Sequence, residues 1–247
     1  LVWDLYPKPT RRASTDEDWP DMARSTPHAP DLVSGSAILA QMTYGDLLYR
    51  VQVEHLTIFG TLLGARGTIV LLGPHEPGFW PAVCDSLEWQ DGAADPVDRW
   101  SRRVITGLAD RLGAQTHFPF GTHPAPFLTW ALASNRAWTS PVGILVQAEA
   151  GLMVSYRGAL EFDWNIQAPE APTKPCTGCA EPCITACPVG ALQGAQYDVE
   201  ACRSYVRSDP EQRCLSEGCL ARRACPIGQT YERAAAQSAY HMREFLN

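Results

Sequence analysis

The spacing of hydrophobic residues predicts several helices in the first two thirds of the chain. From Thr43 onward, apolar residues recur three or four positions apart, as on one face of an α-helix. Similar patterns predict helices over residues 77–89, 97–112 and 126–135. Asp95, a typical N-cap residue, precedes the second of these, followed by proline as in the first turn of many helices.

Short runs rich in apolar and β-branched residues predict strands between these helices. They lie at residues 56–59, 68–72, 142–146 and 152–156. Helices then flank the strands, so residues 31–167 are expected to form an α+β layer fold with a central sheet. Residues 1–30 contain much Pro, Asp, Arg and Ser without an apolar period, which predicts an irregular N-terminal arm.

The distribution of cysteine indicates a second module. The chain has nine cysteines, and all but Cys84 follow residue 175. Residues 167–175 are proline-rich and aperiodic, which is typical of a linker. We therefore expect a small cysteine-rich module with a C-terminal helix over residues 174–247. Cys84 lies on a predicted apolar helix, where we expect it to be buried as a small hydrophobic side chain.

Composition and charge exclude several classes of protein. Hydrophobic residues make up 45% of the chain and charged residues 19%, which is enough for a folded core. The formal net charge of -7 argues against nucleic acid as a partner, because binding to phosphates needs a basic excess. The chain shows neither an apolar run of about 18 residues nor a signal-peptide pattern. We expect a cytoplasmic protein without a membrane or nucleic-acid partner.

The first four of the clustered cysteines are spaced much as in iron-sulfur proteins. They follow the pattern C-x2-C-x3-C-x3-C-P, which begins at Cys176 and ends at Pro188. The bacterial ferredoxin pattern, C-x2-C-x2-C-x3-C-P, is one residue shorter. A tight loop of thiolates can hold three corners of a [4Fe-4S] cube, while the proline turns Cys187 away. A second Cys-Pro step at Cys225 then predicts a pseudo-twofold pair of [4Fe-4S] clusters.

The same logic divides the eight cysteines into two sets of four metal ligands. Site 1, for the first cluster, comprises Cys176, Cys179, Cys183 and Cys225. Site 2, for the second cluster, comprises Cys187, Cys202, Cys214 and Cys219. Arg222 and Arg223 lie between two of these ligands. We expect them on a solvated face; the alternative is that they offset the negative charge of a thiolate-bound cube.

Two other roles for these cysteines are alternatives to the binding of clusters. Two zinc ions with four thiolates each would use the same residues, but zinc sites favour paired C-x2-C ligands, and the chain has one such pair. Disulfides or unligated thiols are the second alternative, and a reducing compartment disfavours disulfides. The wider spacings among the later cysteines, C-x4-C and C-x5-C, leave open whether the second cluster is complete.

The cysteine-rich part resembles the dicluster ferredoxin module of epoxyqueuosine reductases and their reductive dehalogenase relatives. The resemblance rests on Cys187-Pro188 followed by Val-Gly-Ala-Leu, on Cys202 followed by Arg-Ser-Tyr, and on the distal Cys225-Pro226. Residues 125–160 are similar to the corrinoid-binding, nitroreductase-like domain of those enzymes. The likeness covers about residues 115–228. It implies a nitroreductase-like α/β sandwich followed by a ferredoxin-like module, with two [4Fe-4S] clusters and a corrinoid as cofactors.

One departure concerns the catalytic acid of that family. Epoxyqueuosine reductases carry an aspartate before the small-x-Pro step that opens a helix, and His123 occupies the corresponding place here. His123 is therefore the candidate catalytic residue, as a replacement acid or as an axial corrinoid ligand, since a histidine titrates near neutral pH. The alternative is that His123 caps the helix that follows Pro124. Without the aspartate, the resemblance leaves enzymatic activity undecided.

These observations favour an iron-sulfur redox protein. Two clusters would pass single electrons to a site or cofactor on the N-terminal domain, to a redox partner protein or to a small-molecule acceptor. A corrinoid-dependent reductase or corrinoid-processing protein is the first alternative. A binding protein whose clusters are structural is the second.

Overall fold

A computed structural model describes residues 42–193 and 196–247 of the chain, so the predicted arm over residues 1–30 lies outside the described residues. In its first part, the elements in chain order are α1 (Tyr44–Val53), β1 (Leu56–Leu63), β2 (Thr68–Pro74), α2 (Phe79–Cys84), α3 (Leu87–Gln90), α4 (Pro96–Leu112), β3 (Gln115–His117), α5 (Phe127–Ala133), β4 (Ala137–Thr139), β5 (Leu145–Gln147) and β6 (Gly158–Glu161). The cysteine-rich part adds α6 (Val199–Ser208), α7 (Arg213–Glu217), α8 (Leu220–Arg223), α9 (Pro226–Thr230) and α10 (Ala235–Leu246). The α+β class is confirmed.

Helix α1 confirms the first predicted helix and begins at a capping box. The Thr43 hydroxyl accepts a hydrogen bond from the Asp46 backbone N–H at 3.2 Å, and the Asp46 carboxylate accepts one from the Thr43 N–H at 3.0 Å. Two of the orphan N–H groups of the first turn are thus satisfied. Leu47 and Val51 are fully buried beneath the sheet, as their helical spacing predicts.

The prediction of one helix over residues 77–89 is wrong, because the segment forms two short helices. The break falls at Asp85 and Ser86, where the Ser86 hydroxyl accepts the Trp89 N–H at 3.3 Å and so begins α3. Helix α4 has the predicted extent, but Asp95 does not act as a side-chain cap. Its backbone has a left-handed φ of 52°, and its carboxylate makes no capping hydrogen bond.

Four strands form one antiparallel sheet in the order β1-β2-β6-β3, and β4 pairs with β5 in a separate hairpin. All seven residues of β2 are buried, which is expected for a central strand with both faces covered. On one face, Ile58, Val70 and Leu72 pack in an apolar cluster with Ile105 and Leu108 of α4. Each fully buried side chain of this kind contributes about 1.5–3 kcal/mol to folding.

The opposite face of the sheet packs against the cysteine-rich part. Phe59 and Leu71 belong to a second apolar cluster, which also includes Phe127 of α5. Cys183 and Cys225 are buried members of the same cluster. These two of the four site 1 cysteines are therefore part of the core that covers this face of the sheet.

Two of the predicted strands are displaced from their observed positions. The segment 142–146 is mostly a turn, and strand β5 begins only at Leu145. Residues 152–156 form no strand although all five are buried; the strand of this region is β6, further along the chain. A buried apolar run and a strand have the same sequence pattern, so the pattern could not separate them. The strands β3 and β4 were missed, because three residues are too few to show the alternation of apolar and polar positions that predicts a strand.

Candidate metal centres

The four thiols of site 1 come from three separate segments. Cys176 and Cys179 occupy a turn directly after the segment 165–174, which has no helix or strand, and Cys183 lies in the next turn. Cys225 is brought to them by its position at the N-cap of α9, where Pro226 opens the helix. Cys183 interacts electrostatically with the other three thiols, so the four side chains lie near one another.

A cavity of about 320 Å³ lies among these thiols, and all four cysteines of site 1 line it. Its wall on the N-terminal side includes Ser140, Val146 and Leu152 from the β4-β5 hairpin and the segment that follows. The volume is at the lower end of the range for small-molecule sites in proteins. Site 1 is thus a concave space between the cysteine-rich part and the N-terminal hairpin.

Local backbone geometry turns one N–H group towards a thiol of site 1. Gly178 and Glu181 both have left-handed φ values, 75° and 54°. These conformations reverse the chain twice within the motif, and the Glu181 N–H donates to Cys179 Sγ at 3.4 Å. Backbone donors of this kind stabilise thiolate charge in iron-sulfur proteins.

Three of the four thiols of site 2 are held by the C-terminal helices. Cys202 lies on α6, Cys214 on α7 and Cys219 at the N-cap of α8, while Cys187 is the last cysteine of the motif that begins at Cys176. Cys202 interacts electrostatically with the other three. Packing of α7 and α10 around Cys214, with Met242 and Phe245 in one apolar cluster, supports this arrangement. The structure therefore brings together the thiols of each predicted set, and their binding of metal remains a prediction.

Burial favours the protonated form of four of these thiols in the metal-free protein. It raises the pKa of Cys176, Cys183 and Cys214 above the ordinary value, and that of Cys202 to about 12, although a hydrogen bond from Tyr197 lowers the last. Thiolates are the form that binds iron, so each bound metal must displace protons. Loading with metal is therefore expected to be favoured by alkaline pH.

The spacing of these side chains does not suit a single metal ion. Within residues 42–193 and 196–247, no three His, Cys, Asp or Glu side chains are arranged to hold one ion. A [4Fe-4S] cube differs from a zinc ion because each of its four thiolates binds a different iron atom. The donor set of four thiols, the cavity and the backbone donor at site 1 fit such a cube. The nine cysteines are all free of disulfides.

The structure does not support helix capping, the alternative role considered for His123. The residue is exposed in the turn before α5, and its Nδ1 lies 3.1 Å from the Thr122 hydroxyl. The helix begins only at Phe127, with Pro126 at its N-cap and no side-chain cap. His123 therefore does not cap this helix, and its predicted catalytic role remains untested. Cys84, expected to be buried, is half-buried at the end of α2.

At site 2, the sequence left the role of Arg222 open and gave no indication of Tyr197. Arg222 does not lie on a solvated face as expected: its Nε is buried, and its guanidinium interacts with Cys219. Arg223 does face the surface, where it pairs with Glu217. Tyr197, which hydrogen-bonds Cys202, carries no sequence signal beyond its place between two ligands. Side chains at adjacent positions of a helix point in different directions. The sequence of the arginine pair could not show which of the two side chains faces the thiols.

A buried polar set links the N-terminal sheet to the C-terminal part. Glu76 follows β2, and both of its carboxylate oxygens are buried beside Arg233 and Gln237. Arg233 Nη1 donates to the Met153 carbonyl at 2.6 Å. Burial raises the pKa of the Glu76 carboxyl to about 7, even though Arg233 and Gln237 act to lower it. The protonated carboxyl is therefore the form that the fold prefers.

We expect Glu76→Gln to stabilise the protein at pH 8 and to have a much smaller effect at pH 5. The folded-state pKa of about 7 exceeds the ordinary value of 4.5, so the folded chain binds this proton more tightly than the unfolded chain. The carboxyl therefore destabilises the fold increasingly as pH rises from 4.5 through 7, by up to about 3 kcal/mol. Glutamine cannot ionise and avoids this penalty. Thermal unfolding midpoints at the two pH values measure the difference.

The exposed carboxyl of Glu232 gives the matched control. Glu232→Gln removes the same charge from the same region, and we expect similar unfolding midpoints for it and the wild type at pH 8. An effect of Glu76→Gln that is equal at pH 5 and pH 8 would contradict the assignment of a raised pKa.

Comparison with known proteins returned no relative: no protein-family model, curated protein or solved structure matches the chain. None of the helices in the described ranges combines the length and hydropathy needed to cross a membrane. The sites themselves must therefore carry the functional argument.

Proposed function

We propose that this chain is an iron-sulfur redox protein that holds one [4Fe-4S] cluster at site 1 and one at site 2. The observation that carries the proposal is the gathering of eight thiols, dispersed over fifty residues, into two groups of four. Cys225 lies far along the chain from the other thiols of site 1, yet it interacts with Cys176 and Cys183. Bound clusters would supply one-electron transfer.

The chain's own residues have three roles in this proposal. The cysteines supply the thiolates, and the Glu181 N–H lowers the cost of negative charge at Cys179. The apolar side chains of Val146 and Leu152 exclude water from one wall of site 1. Because Cys183 and Cys225 belong to the core that covers the sheet, site 1 is held directly against the N-terminal part. Electrons are thus exchanged with that part or with a partner.

We further propose that the first part is a nitroreductase-like α/β sandwich and that the second is a ferredoxin-like module. The antiparallel sheet with helix α4 on one face and the cysteine-rich part on the other supports this division. A reducing compartment such as the cytoplasm suits a chain whose thiols are all unpaired. His123, the candidate axial ligand of a corrinoid, is exposed. We therefore assign no role to a corrinoid.

Metal analysis of the full chain tests the proposed function directly. Protein purified without oxygen is expected to contain about eight iron and eight sulfide ions per chain. Reduction with dithionite should produce the EPR signals of reduced [4Fe-4S] clusters. Stoichiometric zinc in place of iron, with a colourless solution, would overturn the proposal and indicate a metal-stabilised binding protein.

A further inference from the structure

Two polar side chains from different segments meet the thiols of site 2. The Tyr197 hydroxyl hydrogen-bonds with the Cys202 thiol, and the Tyr197 ring stacks on Phe245 of α10 with centroids 6.3 Å apart. Tyr197 packs in one cluster with Cys202 and Cys219, and Arg222 lines the same small cavity as Cys219. The Arg222 guanidinium interacts with both Cys219 and Tyr197, and its Nε is buried. A hydroxyl donor and a guanidinium cation therefore lie beside two of the four thiols, Cys202 and Cys219.

Site 2 also has an opposing charge. The Asp209 carboxylate acts on Cys214, where it disfavours further negative charge. However, Asp209 accepts hydrogen bonds from the backbone N–H groups of Glu211 and Arg213, at 3.2 and 3.0 Å. These two donors offset part of its charge.

Charges of both signs also act on site 1. Lys174 favours negative charge at Cys176 and Glu181 disfavours it, and the effect of Lys174 is the larger. The donor to Cys179 is a backbone N–H, at 3.4 Å. A neutral amide donor stabilises negative charge less than a nearby guanidinium does.

We infer that Tyr197 and Arg222 give site 2 the higher reduction potential, so that one electron shared between the two clusters resides at site 2. This inference rests on the proposed function. Reduction adds one electron from an external low-potential donor, such as dithionite in the test below, and breaks no bond. The added negative charge is stabilised by the O–H donor at Cys202 and by the cation at Cys219. Burial of site 2 opposes reduction, but the lower dielectric also strengthens the attraction to Arg222.

Potentials are measured by EPR during a reductive titration of the full chain. Loss of a signal in Cys187→Ala assigns that signal to site 2. In the wild type, we expect this signal to develop at the higher potential. At a fixed potential, Tyr197→Phe and Arg222→Gln should each lower the ratio of reduced to oxidised cluster at site 2 about tenfold, equivalent to about 59 mV for one electron. Arg222→Lys keeps the charge and should restore most of the ratio.

Matched controls separate this effect from general damage. Arg223→Gln removes the neighbouring cation, which pairs with Glu217, and Tyr205→Phe removes a hydroxyl that bonds with Arg213. Both should leave the potential of site 2 unchanged.

Two results would overturn the inference. One is a site 2 signal at the lower potential in the wild type, which decides the matter even if a variant fails to fold. The other is a variant with full iron content and an unchanged potential at site 2. Failure of the proposed function can be told apart from failure of this inference. In that case, the wild-type protein would lack iron, and this would be seen before any titration.

Discussion

Replacing Cys225 with alanine is expected to abolish the EPR signal of the site 1 cluster and to leave that of site 2 intact. The iron content should fall from about eight towards about four atoms per chain, because a cube with three thiolates is held poorly. Cys187→Ala should do the reverse, although Cys187 is only four positions from Cys183 of site 1. The two variants thus test whether the thiols group by their position in space, with Cys225 in site 1 and Cys187 in site 2, rather than by their order along the chain.

Cys84→Ala provides the control for this pair of variants. Cys84 is half-buried on α2 and packs in the apolar cluster on the opposite face of the sheet. We expect its replacement to leave iron content and both EPR signals unchanged. If Cys225→Ala and Cys187→Ala affected the same signal, the division of the thiols into site 1 and site 2 would be wrong.

Gly151→Ala is expected to destabilise the protein and to damage site 1 selectively. Gly151 has a left-handed φ of 54°, and an added Cβ would lie 2.5 Å from the Gly228 backbone nitrogen and 2.8 Å from Cys225 Sγ. The backbone of α9 and a predicted iron ligand would both have to move. Overpacking and left-handed strain together cost about 2–5 kcal/mol. The measurements are the thermal unfolding midpoint and the EPR signal of site 1.

Gly143→Ala separates backbone strain from collision. Gly143 also has a left-handed φ, 77°, but nothing lies within 4 Å of an added Cβ. This variant should therefore lose only about 1–2 kcal/mol and keep both clusters. If the two glycine variants had equal unfolding midpoints and equal iron contents, the collision expected between an added Cβ at position 151 and Cys225 would be wrong.

Local signals explain why helices α1 and α4 could be predicted from the sequence. The capping box of Thr43 and Asp46 and the helical spacing of Leu47 and Val51 act within a few residues of one another, so they do not depend on the rest of the fold. Helix α4 likewise has a proline in its first turn and ends at Gly113 in a left-handed conformation. Such elements are determined by their own segments.

The short strands depend instead on distant partners. Strand β6 has four residues and is defined by its pairing with β2 on one side and β3 on the other. The run 152–156 is equally apolar but lies buried without pairing as a strand. Hydrogen-bond partners, rather than composition, separate these two segments, and the partners lie many residues away.

The sequence by itself determined which thiols are clustered, and it predicted their division into two sets and an iron-sulfur chemistry, because residue type and spacing are properties of the chain. Only the tertiary structure decided what surrounds them. It places Arg222 at Cys219 but Arg223 at Glu217, and it brings Gly151 against Cys225. These contacts arise where separate segments cross, and the path of a folded chain between them is fixed by packing over the whole core.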